Sequence, residues 1–203
     1  MKLRHRRLQL RSILIAVMTL LLSVSLMGCG TNQQPTKPAT QEITYPASFV
    51  KNFTGNDETP KHYANDMKQR LVPEDYTDVY AKKNGDIVIV VTQKQVDRLI
   101  KGNDDYIKNG IAEFHHDGSD YRQEVSTDGR EQTLWLDRNV KPLIESNMAI
   151  TLPQCYGLNY YLKGGKGDWD MQITFRNCHT NQLIHQNMWS QGWDGYTTDI
   201  FGE

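Results

Sequence analysis

The sequence predicts an α+β domain, an antiparallel sheet built of successive β-hairpins with two main helices packed on one face. Two observations carry this. Asn84-Gly85 and Asp128-Gly129 each separate short runs suited to strands, the signature of a tight hairpin turn. Between and after these hairpins, apolar residues recur at helical rather than alternating spacing.

Taken in order, Ile43–Phe49 reads as a first strand. His62–Arg70 reads as a short helix, with Tyr63, Met67 and Leu71 on one side. Val79–Lys83 and Asp86–Val91 flank Asn84-Gly85, a dipeptide that tolerates positive φ and suits a type I′ turn. Thr92 followed by Gln95 is a capping-box pair, the hydroxyl bonding the third amide while the glutamine reaches back. Val96, Leu99, Ile100, Ile107, Ile111 and Phe114 then follow a helical period.

Tyr121–Ser126 and Glu131–Asp137 form the second hairpin around Asp128-Gly129. A second helix carries Met148, Leu152, Cys155, Leu158 and Leu162 on one face. Its continuous part is expected to start near Pro153, because proline is tolerated only in the first turn. Gly164-Gly165 ends it. Asp170–Arg176 and Leu183–Gln186 make a third hairpin around the polar turn 177–181.

The N-terminus carries an address. Lys2, Arg4, Arg6, Arg7 and Arg11 precede an almost wholly apolar run, Ser12 to Gly28, that ends in Leu26-Met27-Gly28-Cys29. A basic flank followed by a short apolar core is the pattern of a secretory signal, and the core is shorter than the roughly 20 residues of a spanning helix. The terminal residues resemble the lipobox of bacterial lipoproteins. That resemblance implies cleavage between Gly28 and Cys29, diacylglycerol on the Cys29 thiol, and residence on the extracytoplasmic side of the cell membrane. Two acyl chains hold stably where one holds only marginally, since each buried CH₂ contributes about 0.8 kcal/mol.

Residues 29–41 then read as the lipidated cysteine and a flexible linker, because Thr31 to Thr40 is polar and contains proline. Residues 42–203 are enough chain for one domain. The whole chain has a formal charge of −1, with 23 basic and 24 acidic residues. The signal segment holds five of the basic residues and no acidic one, so the remainder is distinctly acidic. Nucleic acid is therefore not an expected partner, since it requires a basic footprint.

Four stretches, I-T-Y-P-A-S-F (43–49), N-G-D-I-V-I-V-V-T-Q-K-Q (84–95), C-Y-G-L-N-Y-Y-L-K-G-G (155–165) and M-Q-I-T-F-R-N-C-H-T-N-Q-L-I (171–184), together resemble a loose family of small lipoproteins from Gram-positive bacteria. The resemblance implies the same surface address and an α+β fold. It supplies no activity, ligand or catalytic residue, and Cys155, Cys178 and His179 depart from the family's usual pattern.

The catalytic signatures G-x-S-x-G, H-E-x-x-H and C-x-x-C are absent from the sequence. Lys163-Gly164-Gly165-Lys166-Gly167 lacks phosphate-loop spacing and reads as a helix-ending loop. Asp168 and Asp170 would share a face if they lay in a strand, but solvated acids at a strand entry account for them better than a metal. His115-His116 suits the C-terminus of a helix, and His179 and His185 flank a turn. No metal site is expected. Cys155 and Cys178 are either a disulfide pair, as an exported domain permits, or two unrelated thiols.

The stretch Met188–Tyr196 is the most suggestive of binding. Trp189, Trp193 and Tyr196, spaced by Gly192 and Gly195, would offer a rigid aromatic surface to a cell-wall glycan or surface protein. The same rings would serve equally to seal an open edge of the core. The expectation is thus a non-catalytic interaction or accessory module; the alternative is an enzyme or a solute- or metal-binding component of the envelope.

Overall fold

The computed structural model describes residues 38–54, 59–70, 74–114, 120–137 and 142–191. Gly28, Cys29 and most of the linker, together with Leu71, His115, His116, Trp193 and Tyr196, lie outside the described residues. Among the described residues the elements are, in order, β1 (Thr40–Tyr45), α1 (Ala47–Thr54), α2 (Pro60–Arg70), β2 (Asp78–Ala81), β3 (Ile87–Thr92), α3 (Gln93–Phe114), β4 (Arg122–Val125), β5 (Glu131–Leu136), α4 (Pro142–Leu162), β6 (Gln172–Asn177), β7 (Leu183–Met188) and a 3₁₀ turn at Trp189–Gln191. The fold is α+β. None of the described helices is long and apolar enough to cross a membrane.

The strands form two sheets, not one. The first is antiparallel in the order β1-β3-β2, and the second runs β4-β5-β6-β7. In the second sheet β5 and β6 are parallel, with Glu131 opposite Gln172 and Leu136 opposite Asn177. The expected antiparallel pairing holds in the first sheet and within both hairpins of the second, and fails only between β5 and β6. Hairpin turns specify pairing only between consecutive strands, whereas β5 and β6 are joined by α4, and a helical crossover returns the chain in the same direction.

Local signals account for most elements. β3 reads I-V-I-V-V-T and buries Ile87, Val88, Ile89 and Val91, as a central strand covered on both faces does. Both reciprocal bonds of the capping box are made: the Thr92 amide donates to Gln95 Oε1 at 2.8 Å, and the Gln95 amide donates to Thr92 Oγ1 at 3.3 Å. The two early hairpins turn differently from the expected type I′. Gly85 and Gly129 have φ of 92° and 68°, but Asn84 and Asp128 are not among the positive-φ residues. Each turn is therefore a type I turn closed by a left-handed glycine, the next commonest hairpin solution.

The first strand stops at Tyr45, short of the expected Phe49, because Pro46 cannot extend the ladder and the chain enters α1. Asp86 Oδ1 accepts the Ala47 amide at 3.0 Å, so a turn of the first hairpin caps α1. The start of β1 also takes Thr40 and Gln41 out of the expected linker. Helix α4 begins at Pro142 rather than near Pro153 and carries Pro153 inside it. Interior proline costs a backbone hydrogen bond. Burial of Leu152, Cys155, Leu158, Tyr161 and Leu162 offsets it. The end of α4 is a Schellman motif: the Gly165 amide bonds the Tyr160 carbonyl, the Gly164 amide bonds that of Tyr161, and Gly164 has φ of 87°.

The core gathers around Phe49, which is 1 % exposed. Its ring centroid lies 5.1 Å from Tyr161, 6.0 Å from Trp169 and 5.5 Å from Trp189. α4 approaches this cluster closely because position 157 has no side chain. A Cβ there would stand 2.2 Å from Phe49 Cε2 and 2.7 Å from Trp169 Cε3. Leu99, expected on the core face of α3, is half-buried and packs at the margin.

Candidate functional site

The expected site residues go to separate places. Trp189 is 1 % exposed, packed between Phe49 and Trp169. Its indole Nε1 has no hydrogen-bond partner among the described residues. An exposed surface that includes Trp189 is thereby overturned: the ring follows β7 directly and turns back over the open end of the core. Cys155 and Cys178 are both free. Cys155 is held in the core by α4, and burial pushes its thiol up to about 12; Cys178 is half-buried just beyond β6. No disulfide joins them.

Asp168 and Asp170 do not converge on one point. Asp168 accepts from Ser48 Oγ at 2.9 Å, near the start of α1. Asp170 Oδ1 accepts the Ser190 amide at 2.9 Å, and its Oδ2 accepts the Ser190 hydroxyl. Asp170 thus caps the 3₁₀ turn that carries Trp189, a structural task. Trp169, between the two acids, is buried in the core. His185 lies on β7 opposite Phe175.

Beside β1 runs a groove of about 730 Å³ that the sequence did not announce. One wall is Gln41, Glu42, Ile43 and Thr44 of β1; the other is the loop from Lys163 to Gly167 after α4; Val96 and Ile100 of α3 form part of the floor. Four consecutive strand residues alternate faces. A groove lined by all four therefore runs along the edge of the strand. In the sheet order β1-β3-β2 that edge is the outer one.

The opposite wall is held firmly. Tyr160 Oη donates to the Lys166 carbonyl at 2.6 Å, and Tyr161 Oη donates to the Gly167 carbonyl at 3.1 Å. Gly164 and Gly167 have positive φ and open space where a Cβ would be. Lys163 and Lys166 are exposed on this wall. The glycines after α4 signalled a helix end, but nothing local placed that loop opposite β1.

A smaller cluster lies at the far end of the second sheet. His179 stands between two carboxylates, with Nε2 3.2 Å from Asp137 Oδ2 and Nδ1 3.3 Å from Asp120 Oδ2. Cys178 adjoins them, and burial first, then the Asp137 charge, raises its thiol above the usual range. Sequence reasoning noticed Cys178 and His179 but neither acid, because Asp137 and Asp120 come from another hairpin.

No protein-family model, curated protein or solved structure matches this chain.

Proposed function

We propose that the chain is a bacterial lipoprotein, cleaved before Cys29, anchored through diacylglycerol on that cysteine, and that its domain is a non-catalytic binding module on the extracytoplasmic face. The basic flank, short apolar core and terminal Gly28-Cys29 support the address. The observation that carries the binding role is the groove along the outer edge of β1. An edge strand presents unpaired amides and carbonyls, and an extended peptide can satisfy them by adding as a further strand. The occupant we assign is an extended segment of a surface protein carrying a carboxylate toward Lys163 and Lys166.

Two variants test the two halves. Cys29→Ser should lose membrane retention and the detergent-phase partition of the wild type; unchanged partition would refute lipid anchoring. The double reversal Lys163→Glu/Lys166→Glu changes exposed positions and should alter stability by no more than about 0.5 kcal/mol. It should also weaken capture of acidic extended peptides by the full chain and make residual binding insensitive to salt. Equal capture by wild type and double variant would remove the groove from consideration.

A further inference from the structure

We propose that Asp137, Cys178 and His179 form a binding site for a zinc-type divalent cation, independent of the groove and of the reading given to it. One carboxylate oxygen, one ring nitrogen and the thiol sulfur lie within 4.8 Å of one another. A thiolate, an imidazole and a carboxylate make a borderline-soft set that selects zinc and its neighbours over calcium or magnesium, which take oxygen. Ligand atoms about 2.0–2.2 Å from a tetrahedral zinc stand roughly 3.3 Å apart. His179 Nε2 and Asp137 Oδ2 stand at 3.2 Å.

The parallel pairing of β5 with β6 builds the site. Leu136 is in register with Asn177, and the Cys178 amide continues the ladder to the Leu136 carbonyl at 2.9 Å. The next residue of each chain, Asp137 and Cys178, is thereby placed side by side. Asn177 then fixes the turn, its Oδ1 accepting the amides of His179 and Thr180, each at 2.9 Å. Asn181, at φ 59°, receives the Trp135 indole N–H on its side chain at 2.7 Å.

Around this set lie the orienting partners that metal ligands use. Tyr121 Oη donates to Asp137 Oδ1 at 2.7 Å, which leaves Oδ2 on the histidine side. Asp120 Oδ2 lies 3.3 Å from His179 Nδ1, and Nε2 hydrogen-bonds Asp137 Oδ2 at 3.2 Å; a cation seated between Nε2 and Oδ2 takes the place of that shared proton, which goes to solvent. On binding, the Cys178 thiol releases its proton to solvent and the sulfur lone pair goes to the cation. Three protein ligands leave a fourth position for water or an exogenous group.

The test is titration of the full chain, purified in detergent under reducing conditions, with Zn²⁺ against a chromophoric chelator and with Co²⁺ followed by absorption. The expected result is one equivalent bound and a thiolate-to-cobalt charge-transfer band. Cys178→Ser should abolish the band, and both Cys178→Ser and His179→Ala should weaken Zn²⁺ at least tenfold. Asp120→Asn should keep the band and weaken binding less than Cys178→Ser does, because it removes a neighbouring charge and not a ligand. Cys155→Ala and Cys29→Ser should leave both signals intact. Circular dichroism without metal serves as the folding control, and Cys178→Ala replaces the serine variant if that one fails it. Absence of the band in wild type, its survival in Cys178→Ser, or affinity unaltered in His179→Ala would each overturn the site.

Discussion

Trp189→Ala is expected to destabilise the domain by about 3–5 kcal/mol, the range for deleting a fully buried large aromatic. The ring is 1 % exposed and meets Phe49 and Trp169 at centroid distances of 5.5 and 5.8 Å. Removing it leaves a cavity beneath the 3₁₀ turn, bounded by Phe49 on α1 and Trp169 before β6. Asp170 and Ser190 hold the turn in place, which limits how far it can settle into that space. The melting temperature should fall by roughly 2–4 °C for each kcal/mol lost. The unpartnered indole N–H offsets a little of the loss, since the wild type already bears the cost of burying that donor. Trp189→Phe should therefore recover most of the stability. A change below about 1 kcal/mol in Trp189→Ala would mean that the ring is not a core element.

Arg98→Met is the second large effect expected, about 3–5 kcal/mol at neutral pH, the cost of stranding one partner of a buried ion pair. Asp75 is 3 % exposed, and Arg98 Nε approaches its Oδ1 at 3.1 Å while Nη1 reaches Glu74 Oε2 at 3.0 Å. The methionine keeps most of the aliphatic stem and removes the charge. Burial already raises the Asp75 carboxyl above its ordinary value, and Arg98 is the influence that opposes it. Without Arg98 the folded-state value rises further. The folded variant then binds a proton that the unfolded chain does not, so its stability falls as pH rises from about 4, the ordinary carboxylate value, through that raised value. Acidification should accordingly narrow the gap between variant and wild type. Denaturant unfolding at several pH values checks this; a gap that is constant or widens on acidification would rule the account out. Asp75→Asn in the Arg98→Met background should restore stability at neutral pH, because it removes the stranded charge.

Much of the fold was legible because its signals are short-range. Thr92 and Gln95 sit three residues apart, and their reciprocal bonds need nothing beyond the helix they begin. Gly85 and Gly129 mark turns because their backbone conformation is strained for other residues. Gly164-Gly165 ended α4 through a motif confined to six residues. Apart from α1, the order of helices and strands followed from such signals, together with the apolar period of α3.

The errors share one cause. Pro153 was read as a helix start, since local propensity places proline in the first turn; burial of the surrounding face of α4 carried the helix through it. Ile43–Phe49 was read as a single strand, although the core needs Phe49 and Val50 from a helix after Pro46. For Trp189 the sequence leaves a binding surface and a sealed core edge both open; its burial depends on Phe49 and Trp169, which its own neighbours in sequence do not specify.

The sequence by itself determined the α+β class, the hairpin turns, the helix caps, and the N-terminal pattern from which lipid anchoring is proposed. Each of these depends on residues within a few positions of one another, where backbone preference and hydrogen-bond reach decide the outcome. Only the tertiary structure decided that the strands divide into two sheets and that β5 meets β6 in parallel. It alone left the outer edge of β1 facing the Lys163–Gly167 loop, and brought Asp137 and Asp120 to His179 and Cys178. The physical reason is that pairing between distant segments is selected by how their apolar faces can be buried together, a property of the assembled chain that no local stretch encodes.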